Sequence, residues 1–423
     1  MNGFLKHAVL LFLALRLGDF VNAAAGMWFV PKYVKPEDLG AVLPMMSFAT
    51  FLSLPVFAFA MTVMKESAWL AAKGERGRIK SLLSVVFAAS AALMLAVIAV
   101  SALLMPRFLG WMRVTDGSAG FLAVVAAFLG CVAPVYTDAL QSLKRFRSLA
   151  MIEVAGSVLR FAVMLAVMPL KALAGYFAGQ AVLPVFRMAG SVFALRRDLA
   201  VPSDPFWDRL AVRRVATAFV AILAYQAIPM AASLVEQSIL RTSLPSQDSA
   251  GYYMISRFAD FLYYLTFPLM LVMFPYTANA AERGTSTAPY VVRCSIVTLA
   301  VASLMAVVYF FWGTSILPLM PNGADYLDCA GYMHWLVMMN ALTACQVFYA
   351  NAEVSAGRFG FLWWLVPLHL VYIILLQLYI ATGFEFTMPV LIICFGMISI
   401  LRFIFSALAV LKSRVARPAA VTA

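Results

Sequence analysis

Residues 81–106 read SLLSVVFAASAALMLAVIAVSALLMP, a run of 26 positions without Asp, Glu, Lys or Arg, directly after the basic stretch Lys73 to Lys80. A helix rises ~1.5 Å per residue, so this run outreaches a hydrocarbon core of ~30 Å. It is a transmembrane helix with its first end pinned by charge. Seven further runs lack charge over comparable lengths: 39–64, 117–137, 215–235, 261–281, 294–324, 329–352 and 359–384. The run 294–324 is too long for one span and includes an outer loop at Pro318-Leu319-Met320-Pro321-Asn322-Gly323. Four segments, 8–30, 149–170, 171–195 and 388–411, are apolar with one or two internal charges. The sum is about twelve spans, an all-α membrane protein. With 64% apolar and 12% charged residues and a mean hydropathy of +0.93, no soluble domain has room to exist.

The formal charge of +12 raises nucleic acid as a partner, and the placement of the cations answers it. Of the 31 Lys and Arg, 20 fall in the termini and even-numbered loops, 6 in odd-numbered loops and 5 inside spans. That is the positive-inside pattern. It predicts a multi-pass cell inner (plasma) membrane protein with both termini cytoplasmic, and no nucleic-acid partner. Three basic clusters share the cytoplasmic side: Lys73, Arg76, Arg78 and Lys80; Lys144, Arg145 and Arg147; and Arg196, Arg197, Arg209, Arg213 and Arg214. Solvent and anionic headgroups of the membrane lipids suffice as their partners. Trp28, Trp111 and Trp312 lie near expected outer ends, Trp69 and Trp207 near inner ones, as interfacial anchors do.

Lys6, an apolar run and Ala23-Ala24-Ala25 resemble a cleaved signal peptide, but Arg16 and Asp19 interrupt the apolar core it needs. An uncleaved first span is expected. The five cysteines follow no metal-like spacing and read as small packing residues.

Shifted by 210 positions, Phe48-Ala49-Thr50-Phe51-Leu52 meets Phe258-Ala259-Asp260-Phe261-Leu262. At 213, Tyr136, Ala139, Arg145 and Phe146 meet Tyr349, Ala352, Arg358 and Phe359. The second span thus repeats in the eighth and the fourth in the tenth. Six spans per half give both halves one orientation, as parallel repeats around a substrate site near the midplane. The expected organisation is a six-helix bundle over 1–200, a cytoplasmic linker 201–214, a second bundle over 215–412 and a tail 413–423.

Enzymatic signatures are absent. His7, His334 and His369 are scattered, and Gly74 to Ser81 has the wrong spacing for a phosphate loop. The expectation is a protein that is not an enzyme and has no catalytic residues, metal site or organic cofactor. The informative residues are the charges inside spans, each costing ~2.5–3.5 kcal/mol at the bilayer centre. Arg16 and Asp19 stand three apart, as do Arg257 and Asp260, and Glu153 and Arg160 stand seven apart, so each pair shares a helix face. Arg187 and Arg402 have no acidic helix-mate, and Arg402 can snorkel from the last span. One reading is mutual neutralisation that lets the helices insert. In the other, Arg16, Arg160, Arg187 and Arg257 line a cavity and hold an anion, guanidinium being suited to phosphate by its two-pronged hydrogen bonding. Asp19, Asp138, Glu153, Glu236 and Asp260 are then the acids available for coupling to Na+ or H+. Pro55, Pro229 and Pro268 fall inside spans, where each removes a backbone donor and bends its helix.

Val34-Lys35-Pro36-Glu37-Asp38-Leu39-Gly40 resembles the loop after the first span of polysaccharide exporters. Ser249-Ala250-Gly251-Tyr252-Tyr253, through Arg257-Phe258-Ala259-Asp260 to Phe274-Pro275, resembles their eighth-span pattern. Asp325-Tyr326-Leu327, with Gly323 before it, resembles their entry to span ten. These are features of the multidrug/oligosaccharidyl-lipid/polysaccharide (MOP) flippase superfamily, and the length and span count suit its O-antigen flippase branch. The resemblance implies two six-helix bundles in alternating access, flipping an undecaprenyl-diphosphate-linked oligosaccharide, with other polysaccharide-assembly proteins as partners. A multidrug and toxin extrusion antiporter is the alternative, with a peptidoglycan-precursor flippase and a major facilitator carrier behind it. Outside transport, the alternatives are a scaffold and a membrane-embedded polysaccharide-assembly protein such as a polymerase, although no odd-numbered loop is long enough for a polymerase site.

Overall fold

The computed structural model describes residues 16–18, 20, 21, 23–114, 116–143, 145–205, 209–282, 285–356 and 358–415. Among them all regular structure is helical. A π-turn at Ala25–Phe29 and two short helices, Val30–Tyr33 and Pro36–Leu39, lead into α1 (Val42–Leu52) and α2 (Leu54–Ala72). There follow α3 (Arg76–Trp111), α4 (Gly117–Ser142), α5 (Phe146–Val167), α6 (Ala172–Leu195), α7 (Arg209–Ser243) and α8 (Ser246–Glu282). The chain closes with α9 (Ala288–Ile316), α10 (Met333–Ser355), α11 (Leu362–Ala381) and α12 (Met388–Val415). Eight of these are long and apolar enough to cross a membrane, nine if α1 and α2 form one bent span. The helices α8 and α10 are 37 and 23 residues long and carry more polar groups. The first expected span is described only from Arg16 onward.

Local chemistry accounts for the punctuation. Pro36 opens its helix at a first-turn position where no backbone donor is needed, and Glu37 and Asp38 meet the positive helix end. Between α1 and α2 the axis bends by 57°. The cause is Pro55, whose ring crowds the Phe51 carbonyl and which has no N–H to bond it. The helices α7 and α8 continue through Pro229 and Pro268 without interruption, so only the first of the three expected bends breaks a helix. The expected outer loop becomes two 3-10 turns, Leu317–Leu319 and Gly323–Tyr332, and α10 starts at Met333 rather than at residue 329. Asn322 is left-handed, with φ of 58°, and a side chain at Gly323 would collide with the Leu317 carbonyl. This loop packs on α8 and α9. Gln247 donates to the Asp325 carbonyl at 3.0 Å, and Gly251 lies against Cys329 and Tyr326. Two of the segments that carry the sequence resemblance therefore pack on one another.

The chain forms two compact units, Met1–Ser238 and Ile239–Ala423, parting within α7 one helix beyond the polar stretch 201–205. In the first, α4 is the hub, touching α1, α2, α3 and α6, and α5 packs on α6. The second has α10 as its hub, touching α8, α9 and α12, with α11 on α12. Each unit repeats the pairing order of the other six helices later, and its hub is the span that the 213-residue offset related to the other hub. Half of the most apolar part of α4 is buried, against about a fifth for α3. Exposed Leu95 and Leu103 on α3, and Leu304, Phe310 and Phe311 on α9, leave these helices facing lipid. Lipid supplies no hydrophobic drive between helices, so close packing must hold them. At the α5–α6 turn a side chain on Gly175 would strike the backbone of Val167 and Met168.

Candidate functional site

In the first unit, one face of α5 carries Glu153, Ser157 and Arg160, all buried. The Arg187 Nη2 on α6 donates to Glu153 Oε2 at 2.6 Å. Arg160 reaches the other way and donates from Nη2 to the Gly18 carbonyl at 3.0 Å. The expected cation Arg16 is half-buried in the same N-terminal segment as Gly18, which itself lies against Ser157. So Arg160, Arg187 and Glu153 are gathered along α5, and Arg16 stands two residues along the chain from the Gly18 that touches it. The helix-mates Glu153 and Arg160 share a face as expected, but the acid's partner comes from α6. Seven residues on a helix separate side chains by two turns, ~10.5 Å, whereas neighbouring helices approach to 8–10 Å.

In the second unit, Arg257 Nη2 meets Asp260 Oδ2 at 3.0 Å, and its guanidinium stands 5.0 Å from the Tyr253 ring centre. Here the i, i+3 reading holds. Arg402 is buried inside this unit instead of extending along a lipid face. His369 is 1% exposed, with Nδ1 at 2.8 Å from the Leu365 carbonyl. A carbonyl can only accept, so the proton sits on Nδ1 and leaves Nε2 as a buried acceptor. Glu236 is buried on α7 in the first unit. Asp19 and the side chain of Asp138 lie outside the described residues. Among the described residues no His, Cys, Asp or Glu group could hold a metal ion, and all five cysteines are free.

The basic loops do more than meet solvent and lipid. Arg145 binds Asp198 with both prongs, Nε to Oδ2 at 3.0 Å and Nη2 to Oδ1 at 2.8 Å. These hydrogen bonds first, and the carboxylate's charge second, hold the Arg145 guanidinium above its ordinary pKa. Lys80 donates to the Val201 carbonyl and Arg78 to that of Pro205, while Gly77 lies against Asp204 and Pro202. The start of the inter-half segment is thus fastened to α3 and to the α4–α5 turn. Asp198, which the positive-inside count passes over, is the anchor.

No family model matches the chain, and no curated protein matches it. Its fold matches solved structures over nearly the whole length. A Vibrio cholerae MATE transporter superposes with a TM-score of 0.65 at 15% identity, covering 98% of this chain and 97% of that one. The outward-facing form of a multidrug resistance MATE family transporter of the MOP superfamily gives 0.63 at 13%, covering 98% and 96%. A MOP superfamily transporter from Pyrococcus furiosus, described as having a binding pocket of reverse polarity, gives 0.62 at 15%, covering 97% and 96%. The protein is an all-helical, multi-span membrane protein with the fold of MATE/MOP superfamily transporters.

Proposed function

We propose that the protein is a secondary transporter that flips an undecaprenyl-diphosphate-linked oligosaccharide across the inner membrane by alternating access, as in the O-antigen flippase branch. The carrying observation is the placement of arginine side chains within the apolar helices of both units, two of them buried and two partly exposed. Arg160 and Arg187 in the first unit and Arg257 and Arg402 in the second are guanidinium groups within apolar helices. The carboxylates of Glu153 and Asp260 are each bonded to an arginine. Guanidinium groups in such positions suit a diphosphate, with which they form two-pronged hydrogen bonds, and not a cationic drug. The Pyrococcus furiosus transporter, whose pocket of reverse polarity is described as suggesting a different function, is a precedent for a changed pocket charge on the same fold. Asp19, Asp138, Glu153, Glu236 and Asp260 are the acids proposed for Na+ or H+ coupling, and other polysaccharide-assembly proteins are its partners.

The double variant Arg257→Gln with Asp260→Asn keeps the net charge while removing the ion pair. Glycan export by cells carrying it should fall about tenfold or more, the scale of one charge-assisted phosphate contact. Full export in that variant would remove Arg257 from the substrate site. For topology, we propose that both termini face the cytoplasm. Reporter fusions after Ala423 and within 201–205 should both report cytoplasmic, and a periplasmic signal from either contradicts the arrangement.

A further inference from the structure

We infer that an arginine-lined pocket at the loop end of α5 and α6 binds the phosphate group of an anionic membrane phospholipid. It is lined by Arg145, Ser148, Phe193, Ala194, Arg196 and Arg197 and encloses about 330 Å³. Three of the six lining residues are arginines and none carries a carboxylate. The nearby carboxylate of Asp198 is 9% exposed, is bound twice by Arg145 and has Arg76 at 4.0 Å. Its charge is spent there, so Arg196 and Arg197 add positive charge with no matching acid.

Two of the arginines are held by contacts that leave N–H donors for an anion. Arg145 is half-exposed and bonds Asp198 through Nε and Nη2, which leaves Nη1 as the outward donor. The Arg196 guanidinium carbon lies 3.9 Å from the Phe193 ring centre. Stacking occupies the face of the guanidinium and leaves its in-plane N–H groups for a two-pronged bond to phosphate. Ser148 adds a hydroxyl donor. Beside the pocket, Val192 and Phe193 on α6 and Met151 on α5 expose apolar side chains to the surroundings, a surface for the acyl chains attached to such a headgroup. Free phosphate would gain nothing from that apolar rim. Basic pockets between helices at a membrane surface hold phospholipid headgroups by this combination.

The test uses the full chain reconstituted in bilayers of phosphatidylglycerol and phosphatidylcholine, extracted gently, with retained lipid counted by native mass spectrometry. Wild-type protein should retain phosphatidylglycerol over phosphatidylcholine. The double variant Arg196→Gln with Arg197→Gln should lose that preference by about tenfold or more, two charge-assisted contacts being removed. Phe193→Leu keeps every charge and removes the stack, and should weaken retention by about threefold. It also tests the pocket if the double variant fails to elute as a folded species. Arg213→Gln, an exposed cation outside the pocket, should change nothing. Equal retention by wild type and the pocket variants, or an equal loss in Arg213→Gln, overturns the inference. So does a polyprenyl diphosphate, added at a few per cent to the bilayer, that binds through Arg196 and Arg197 while phosphatidylglycerol does not. That result would give the pocket to the lipid-linked substrate.

Discussion

Arg160→Ala is expected to lower glycan export by roughly ten- to a hundredfold per inserted molecule, the loss of one to two charge-assisted hydrogen bonds to a diphosphate. Arg160 is 5% exposed on α5, its Nη2 donates to the Gly18 carbonyl, and Ser157 and Glu153 are buried on the same helix face. Arg160→Lys should recover only part of the activity. An ammonium keeps the charge and loses the planar fork. Export measured against the amount of protein in the membrane decides the matter. If per-molecule export is unchanged and only abundance falls, Arg160 serves to tie the first segment to α5, and the anion-binding role passes to other arginines.

Arg187→Ala should destabilise the protein by about 3–5 kcal/mol, the typical result of removing one partner of a buried ion pair. The Arg187–Glu153 bond is 2.6 Å long, and the Glu153 side chain is 5% exposed. Without Arg187 that carboxylate would be left charged in a dry environment or would have to take up a proton. Replacing both groups together, Glu153→Gln with Arg187→Gln, should recover most of the loss, because two neutral amides are far cheaper to bury than one unpaired charge. Thermal unfolding of the purified variants in detergent reads both effects. Equal melting temperatures for Arg187→Ala and wild type would show that the pair is solvated in the protein as it folds. The two variants also separate stability from transport: a refolded, well-paired double variant that still fails to export would place Arg187 on the anion.

Much of the fold was legible in the sequence because membrane insertion is close to a one-dimensional property. Charge-free run length, the cost of a buried ion and the bias of Lys and Arg between loops depend on neighbours along the chain, and they yield α3, α4, α9 and α12 directly. The internal repeat was readable for the same reason, and the hub roles of α4 and α10 follow its offset. Within the candidate site, Arg257 and Asp260 pair as their spacing requires, since one turn of helix brings i and i+3 together whatever else the chain does.

Three features were decided only by packing. Glu153 chose Arg187 on the neighbouring helix over Arg160 on its own, because the α5–α6 approach is shorter than two turns along α5. Asp198 became the anchor of Arg145 across 53 positions of sequence, giving one arginine of the basic cluster a second task in fastening the segment between the halves. Arg402 and His369 are both buried inside the second unit, although the sequence left Arg402 free to extend toward the membrane surface. In each case the physical reason is the same. A helix fixes the angle and rise of its own side chains, so the sequence determines which residues share a face, while the identity of the facing helix is set by side-chain interdigitation over the whole unit, and that exists only once the tertiary structure has formed.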